Sequence, residues 1–304
     1  MKKDAGQLRF VALFLTPALF LFTVFVALPG LRALVYSLQK WDGLSEAEWA
    51  GLDNFRALFK DDLFPAALRH NAILMVAGGG ITLALALLFA HLMHRGVRGA
   101  SVFRVAFFFP NIVASVAVAA LWVLLYSTND FGAANAFLGL VQRGLGAVGI
   151  DFMKDELPYA FLDTSRLIYA LIPMIVWTAV GFYMVLFLAA MQSIPEELYE
   201  AAKLDGATGR QQFFSITLPL IREIFVVGIV FFIISSAKFF DAVWVMENEV
   251  PTAESHVLAT VLFQKVFTEY NIGYAAAVAV VLFALVFIAT LITLRWSRKE
   301  ALEY

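Results

Sequence analysis

Six windows run almost without charge, at residues 10–29, 72–94, 105–126, 168–190, 224–243 and 275–294. A helix of roughly 20 apolar residues is what crosses the bilayer's hydrocarbon core of about 30 Å. Inside hydrocarbon every backbone N–H and C=O must be satisfied by the chain itself, which confines such windows to helices or closed barrels. The windows are too long and too uniformly apolar for the alternation of barrel strands. The expected fold class is therefore an all-α polytopic membrane protein with six transmembrane helices. Bulk composition agrees: 62% of the residues are hydrophobic and 15% charged, against about half and a quarter in soluble domains.

Flanking charge orients the windows. Lys2, Lys3 and Arg9 precede the first, Arg95, Arg98 and Arg104 crowd the short second connection, and Arg295, Arg298 and Lys299 follow the last. The connections at 30–71, 127–167 and 244–274 are longer and richer in acid, with Asp42, Glu46, Glu48, Asp151, Asp155, Glu156, Glu247, Glu249 and Glu254. The positive-inside rule puts both termini and the connections 95–104 and 191–223 in the cytosol. The first window follows Met-Lys-Lys but exceeds a secretory core and lacks a small-x-small cleavage site, so it reads as a retained helix.

Several function classes drop out. A net charge of −2 offers nothing to a nucleic acid. The absence of cysteine removes disulfides and thiolate metal sites. No nucleophile–base cluster or H-E-x-x-H is present, and no G-x-x-x-x-G-K-[ST] phosphate loop; Gly78-Gly79-Gly80 runs into Ile81-Thr82 and reads as a site of close helix packing. His91 and His94 share a helix face, but no carboxylate joins them as a metal set. In the first outer connection Leu52, Phe55, Leu58 and Phe59 have the spacing of one helix face, as in an amphipathic interfacial helix. A secondary carrier would want acidic groups at mid-membrane, where these windows have almost none.

The connection between the fourth and fifth windows has clear helical grammar. Ser193 is a candidate N-cap with capping-box spacing to Glu196, Pro195 suits the first turn, and Glu196 and Glu197 favour the positive end of the dipole. Leu198, Ala201 and Ala202 fall on one face, and the small alanines admit close approach by another backbone. Asp205-Gly206 ends the helix, with Gly206 free to take the left-handed C′ conformation. Pro219 interrupts the apolar pattern that restarts at Phe213 and Phe214.

At these residues the chain resembles a family. Glu200-Ala201-Ala202, Asp205-Gly206-Ala207, Phe213, Ile216 and Leu218-Pro219 match the EAA motif of permease subunits in bacterial ABC importers. Weaker pieces resemble the carbohydrate-uptake branch, in particular its maltose/glycerol-phosphate-type first permease. These are Gly51-Leu52-Asp53-Asn54-Phe55, Phe64 with Ala67-Leu68 and Asn71, Phe109-Pro110, Gln192-Ser193-Ile194-Pro195 and Gly273-Tyr274-Ala275-Ala276-Ala277. The chain departs from the pattern where Glu247-Asn248-Glu249-Val250-Pro251 replaces a Gly-Gly-Pro turn, which puts the shape of the outer mouth in question, and where Arg222-Glu223 stands near a usual proline.

The resemblance implies a single permease domain over 1–304, with a cytosolic coupling loop at 193–219 that sits in a cleft of an ATP-hydrolysing subunit. Glu200, Ala201, Ala202, Asp205, Gly206 and Ala207 would make that coupling contact. It implies a transport subunit and not an enzyme. No cofactor belongs to this chain, since ATP and Mg would be bound by the partner ATPase. The implied partners are a second permease subunit, two ATP-binding subunits, an extracytoplasmic solute-binding protein and membrane lipid, all at the bacterial inner membrane. The implied cargo is a sugar or sugar-like solute; a non-sugar ABC cargo or an ion-coupled carrier stays open.

Polar groups inside the windows mark the candidate substrate path: Asn111 and Ser115 in the third, Thr178 and Tyr183 in the fourth, and Ser235, Lys238 and Asp241 in the fifth; the resemblance, which implies a sugar between spans four and five, adds Gly181, and Phe182 supplies an aromatic face. Lys238 and Asp241 stand at i, i+3, where mutual neutralisation competes with contact to a substrate. Phe239 and Phe240 add aromatic faces suited to a sugar ring.

Overall fold

The computed structural model describes residues 5–297 apart from 130, 149, 151, 152, 154 and 155. Lys2, Lys3, Asp151, Asp155, Arg298 and Lys299, which entered the charge argument, lie outside the described residues. The chain runs α1 (Ala5–Phe22), α2 (Leu28–Tyr36), β1 (Gln39–Lys40), β2 (Glu48–Trp49), α3 (Asp53–Lys60), α4 (Leu63–Ile73), α5 (Gly79–His94) and α6 (Ala100–Ile112). It continues through α7 (Ser115–Leu125), α8 (Ala133–Gly146), α9 (Thr164–Gln192), α10 (Glu196–Leu204), α11 (Gly209–Gln212) and α12 (Leu218–Leu220). Last come α13 (Arg222–Ser236), α14 (Asp241–Met246), α15 (Leu258–Phe267) and α16 (Ile272–Ser297).

Four helical stretches are long and apolar enough to cross a membrane unbroken: Phe10–Tyr36, Leu63–His94, Thr164–Gln192 and Ile272–Trp296. The third and fifth expected spans are broken helices instead of straight ones. Between α6 and α7, Val113 and Ala114 take extended backbone and the axes turn by 100°. Pro110 has already removed a donor from the last turn of α6. The helix of the fifth span stops at Ser236, short of the expected 243, and resumes only at Asp241; a 69° bend at Ile221, ahead of the span, separates α13 from α12. Shorter discontinuities have a visible cause in two cases. The π-turns Thr23–Ala27 and Phe213–Thr217 each end two residues before a proline, Pro29 and Pro219, whose missing N–H the wider turn absorbs.

The contacts group into two compact units, Met1–Phe64 with Val261–Ala284, and Pro65–Thr260 with Leu285–Tyr304. In the first unit, the β1–β2 hairpin and the start of α16 are tied through backbone. Asn54 donates from Nδ2 to the carbonyls of Ser37 (2.9 Å) and Gln39 (2.8 Å), and Ile272 N–H donates to Trp41 C=O (2.9 Å). A Cβ at Gly273 would lie 2.0 Å from the Gln39 oxygen, so only glycine fits this crossing. The hydroxyl of Tyr274 donates to Asp61 (2.8 Å). Of the proposed α3 face, Leu58 is buried, whereas Leu52 and Phe59 are exposed. Phe55 is half-buried.

The second unit is built on α9. Thr82, Ala86 and Ala90 form a fully buried small-residue stripe along α5, and the α9 side of the same core carries Leu167, Leu171, Met184, Phe187 and Met191. Within hydrocarbon such packing contributes dispersion more than a hydrophobic gain, which favours small residues that bring backbones close. Gly79 serves this way, since a Cβ there would meet the Phe232 ring at 2.7 Å. Gly80 has nothing within 4 Å. Asn71 is buried and pins two chain reversals, donating to Ser236 C=O (3.2 Å) and accepting from Leu258 N–H (2.8 Å).

The Glu247–Pro251 departure leaves the turn intact. Asn248 and Glu249 take φ values of 50° and 66°, the left-handed backbone that glycines would adopt without strain. Glu249 N–H closes the turn on Trp244 C=O (2.8 Å). Burial raises the Glu247 carboxyl above its usual range and the Asp163 charge adds to the rise, while hydrogen bonding by Ser255 and Thr164 opposes it. Its Oε1 has no hydrogen-bond partner among the described residues. A carboxyl raised in the folded state destabilises only when ionised. The cost is absent below the ordinary carboxylate range and complete above the raised folded value. Glu247→Gln is therefore expected to raise the unfolding temperature at neutral pH and to leave it unchanged near pH 4. Equal effects at both pH values would refute the assignment.

Candidate functional site

Two features of the second unit bear on function. The first is a cavity of about 570 Å³, within the several-hundred-Å³ range of small-ligand sites. Thr178, in its wall, falls at the midpoint of the 29-residue α9. Broken helices frame the cavity. Pro110, Asn111 and Ser115 come from either side of the α6–α7 break, and Ser235, Lys238, Phe239, Phe240 and Asp241 from the α13–α14 break. Unwound segments at mid-membrane expose backbone and polar side chains to a cavity, the arrangement that transporters use to hold solutes.

Of the sequence-derived path residues, Asn111, Phe182, Tyr183, Ser235, Lys238 and Asp241 all line this cavity. Gly181 does not. It is packed against α6, where a Cβ would stand 2.0 Å from the Phe107 oxygen, so it is a helix-crossing glycine. Lys238 and Asp241 form no ion pair with each other. The helix ends ahead of both, at Ser236, and the next begins only at Asp241, so i, i+3 geometry fails, and the Asp241 carboxylate accepts instead from the Ser115 hydroxyl. That bond ties the two broken spans together across the cavity. Phe182 sits edge-on to Tyr183, with ring centroids 5.1 Å apart, and near Phe231 at 6.4 Å. Phe231 and Met174 also line the wall, and sequence reasoning missed both. In a chain with 30 Phe no local signal separates a cavity ring from a packed one.

The second feature is the loop helix α10. Its N-cap is Pro195 without a side-chain cap. Ser193 instead closes α9, donating to Ala190 C=O (2.8 Å), so the expected Ser193–Glu196 capping box does not form. The capping box lies at Thr208–Gln211, opening α11. Gly206 takes φ +80° and the helix closes through Gly206 N–H to Lys203 C=O (3.0 Å) and Ala207 N–H to Ala202 C=O (2.9 Å).

One face of α10 turns inward. Tyr199 shares a hydrogen bond with the buried Thr217 hydroxyl (2.9 Å) and its ring lies 5.7 Å from that of His94. The opposite face, with Glu197, Glu200, Ala201 and Asp205, is exposed. Leu204 on that face is 90% exposed.

Comparison with known proteins identifies the family. Residues 80–299 match the family model described as binding-protein-dependent transport system inner membrane component. The chain is 35% identical to the diacetylchitobiose uptake system permease protein NgcF of Streptomyces coelicolor, over 93% of this chain and 80% of that one. It is 31% identical to the sn-glycerol-3-phosphate transport system permease protein UgpA of Salmonella choleraesuis, over 95% and 94%. Its fold is similar to a chain of a bacterial ABC transporter involved in the import of the acidic polysaccharide alginate, with a TM-score of 0.77, 22% identity and 97% coverage of both chains. The chain thus belongs to the inner-membrane permease components of binding-protein-dependent ABC importers, as a multi-pass transport subunit.

Proposed function

We propose that this subunit moves a sugar or sugar-like solute into the cytoplasm by alternating access. Residues 1–304 act as one permease domain, both termini and the 193–219 loop face the cytosol, and a second permease subunit completes the pore. Two ATP-binding subunits, carrying ATP and Mg, grip α10 through Glu200, Ala201, Ala202, Asp205, Gly206 and Ala207, with Leu204 added to that set. An extracytoplasmic binding protein delivers the solute. The observation that carries the sugar reading is the mid-span cavity, in which aromatic rings stand beside Asn111, Thr178, Ser235 and Asp241. Apolar ring faces suit the C–H faces of a sugar, and the neighbouring amide, hydroxyl and carboxylate groups suit its hydroxyls.

The test is uptake into proteoliposomes holding the whole complex, with saccharides of increasing length compared against glycerol phosphate and amino acids. ATP-dependent accumulation of a saccharide is expected, reduced at least about tenfold by Asn111→Ala with Asp241→Ala, the loss of roughly 1.4 kcal/mol of binding. Preferential accumulation of an amino acid would overturn the sugar reading. Uptake driven by a proton or sodium gradient without ATP would overturn the coupling.

A further inference from the structure

A second cavity, of about 710 Å³, lies behind α10, between that helix and the end of α5. Arg95 and Lys203 bring formal positive charge to its wall, His91 and His94 add imidazole nitrogens, and Glu196 is its one carboxylate. Neither Arg95 nor Lys203 has an ion-pair partner among the described residues. The Arg95 guanidinium lies over Gly209, where a Cβ would meet both terminal nitrogens at 3.3 Å. His91 Nδ1 is buried with no hydrogen-bond partner.

Two helix C-termini converge here, and their carbonyls would ordinarily account for such cations. Those carbonyls are largely taken by backbone. His91 and Met93 C=O accept from Arg95 and Gly96 N–H, and Ala201, Ala202 and Lys203 C=O accept from Asp205, Ala207 and Gly206 N–H. No side-chain hydrogen bond or ion pair of Arg95 or Lys203 is formed among the described residues.

We propose that this cavity binds a phosphate-bearing anion, held by Arg95 and Lys203 with an imidazole N–H. A guanidinium fork matches two phosphate oxygens at once, and a lysine adds a point charge from a second direction. The volume exceeds a bare phosphate, so the group belongs to a larger molecule, either a soluble phosphorylated compound or a lipid headgroup at that membrane face. Its position pins α10 to the end of α5, so an occupied cavity restrains the helix that the proposed ATPase contact must move.

The test uses the full chain in nanodiscs at fixed ionic strength. In phosphatidylcholine discs, saturable binding of radiolabelled inorganic phosphate is expected, with the dissociation constant raised at least about tenfold by Arg95→Gln with Lys203→Gln, as the loss of a charge-assisted bond implies. A lipid source instead gives phosphatidylglycerol that co-purifies with the wild type and not with the double variant. Arg98→Gln changes a nearby charge outside the cavity and is expected to alter neither result. Lys203→Gln alone, on an exposed position, is the readout if the double variant does not fold. Absence of both phosphate binding and lipid retention, or an equal loss in Arg98→Gln, overturns the proposal.

Discussion

A Gly206→Val subunit is expected to reach the membrane in normal amounts and to support less than about a tenth of wild-type uptake, a loss of at least about 1.4 kcal/mol of coupling. The reason is conformational and not steric. A Cβ at 206 would meet nothing within 4 Å, but φ is +80°, where a β-branched residue costs roughly 1–3 kcal/mol. That is too little to unfold a polytopic bundle from one exposed turn. It is enough to shift the local backbone, and the shift breaks the closing bonds from Gly206 to Lys203 and from Ala207 to Ala202. Those bonds set where Leu204 and Asp205 stand on the exposed face. Uptake and ATP hydrolysis in the reconstituted complex check the point: hydrolysis retained with transport lost is the expected pattern. Wild-type uptake would remove α10 from the coupling role.

Gly181→Ala is expected to act the opposite way, on the fold itself. The α9 backbone at Gly181 is ordinary helix, but an added methyl would sit 2.0 Å from the Phe107 oxygen, 2.3 Å from its carbon and 2.7 Å from the Phe108 nitrogen. These are backbone atoms, so no side-chain rotation relieves the clash, and α6 must move away from α9. Overpacking typically costs about 1–3 kcal/mol and more where backbone must move. At about 3 kcal/mol the unfolding temperature falls by roughly 6–12 °C, at 2–4 °C per kcal/mol for domains of this size. Gly80→Ala is the control: nothing lies within 4 Å of its Cβ, and alanine gains roughly 0.5–1 kcal/mol over glycine in a helix. If both variants melt alike, the crossing at Gly181 is not a tight one.

These two glycines show how unevenly the chain could be read in advance. Gly206 was legible because its role is local: a helix that runs into Asp205-Gly206 announces its own end through backbone preference. Gly181 was misplaced as a path residue because its neighbour Phe107 is distant in sequence, and nothing near 181 encodes a backbone crossing. The same split runs through the polar residues. Ser115, Thr178, Ser235 and Asp241 stood out as polar groups inside apolar windows, since hydrocarbon makes each of them costly. That Asp241 would accept from Ser115 and not pair with Lys238 depended on the helix ending at Ser236. The loop capping failed for a related reason. Ser193 had the right spacing for α10, but the end of α9 claimed it first.

The sequence by itself determined the all-α class and that the 193–219 loop carries a short helix closed at Asp205-Gly206, because these follow from the cost of exposing backbone in hydrocarbon and from local turn chemistry. Only the tertiary structure decided that the third and fifth spans break, that the broken ends meet around a cavity at mid-span, and that Tyr199 and Thr217 tie α10 to the π-turn behind it. Those outcomes depend on which long-range contacts close, and a chain read residue by residue carries the parts of such contacts without their pairing.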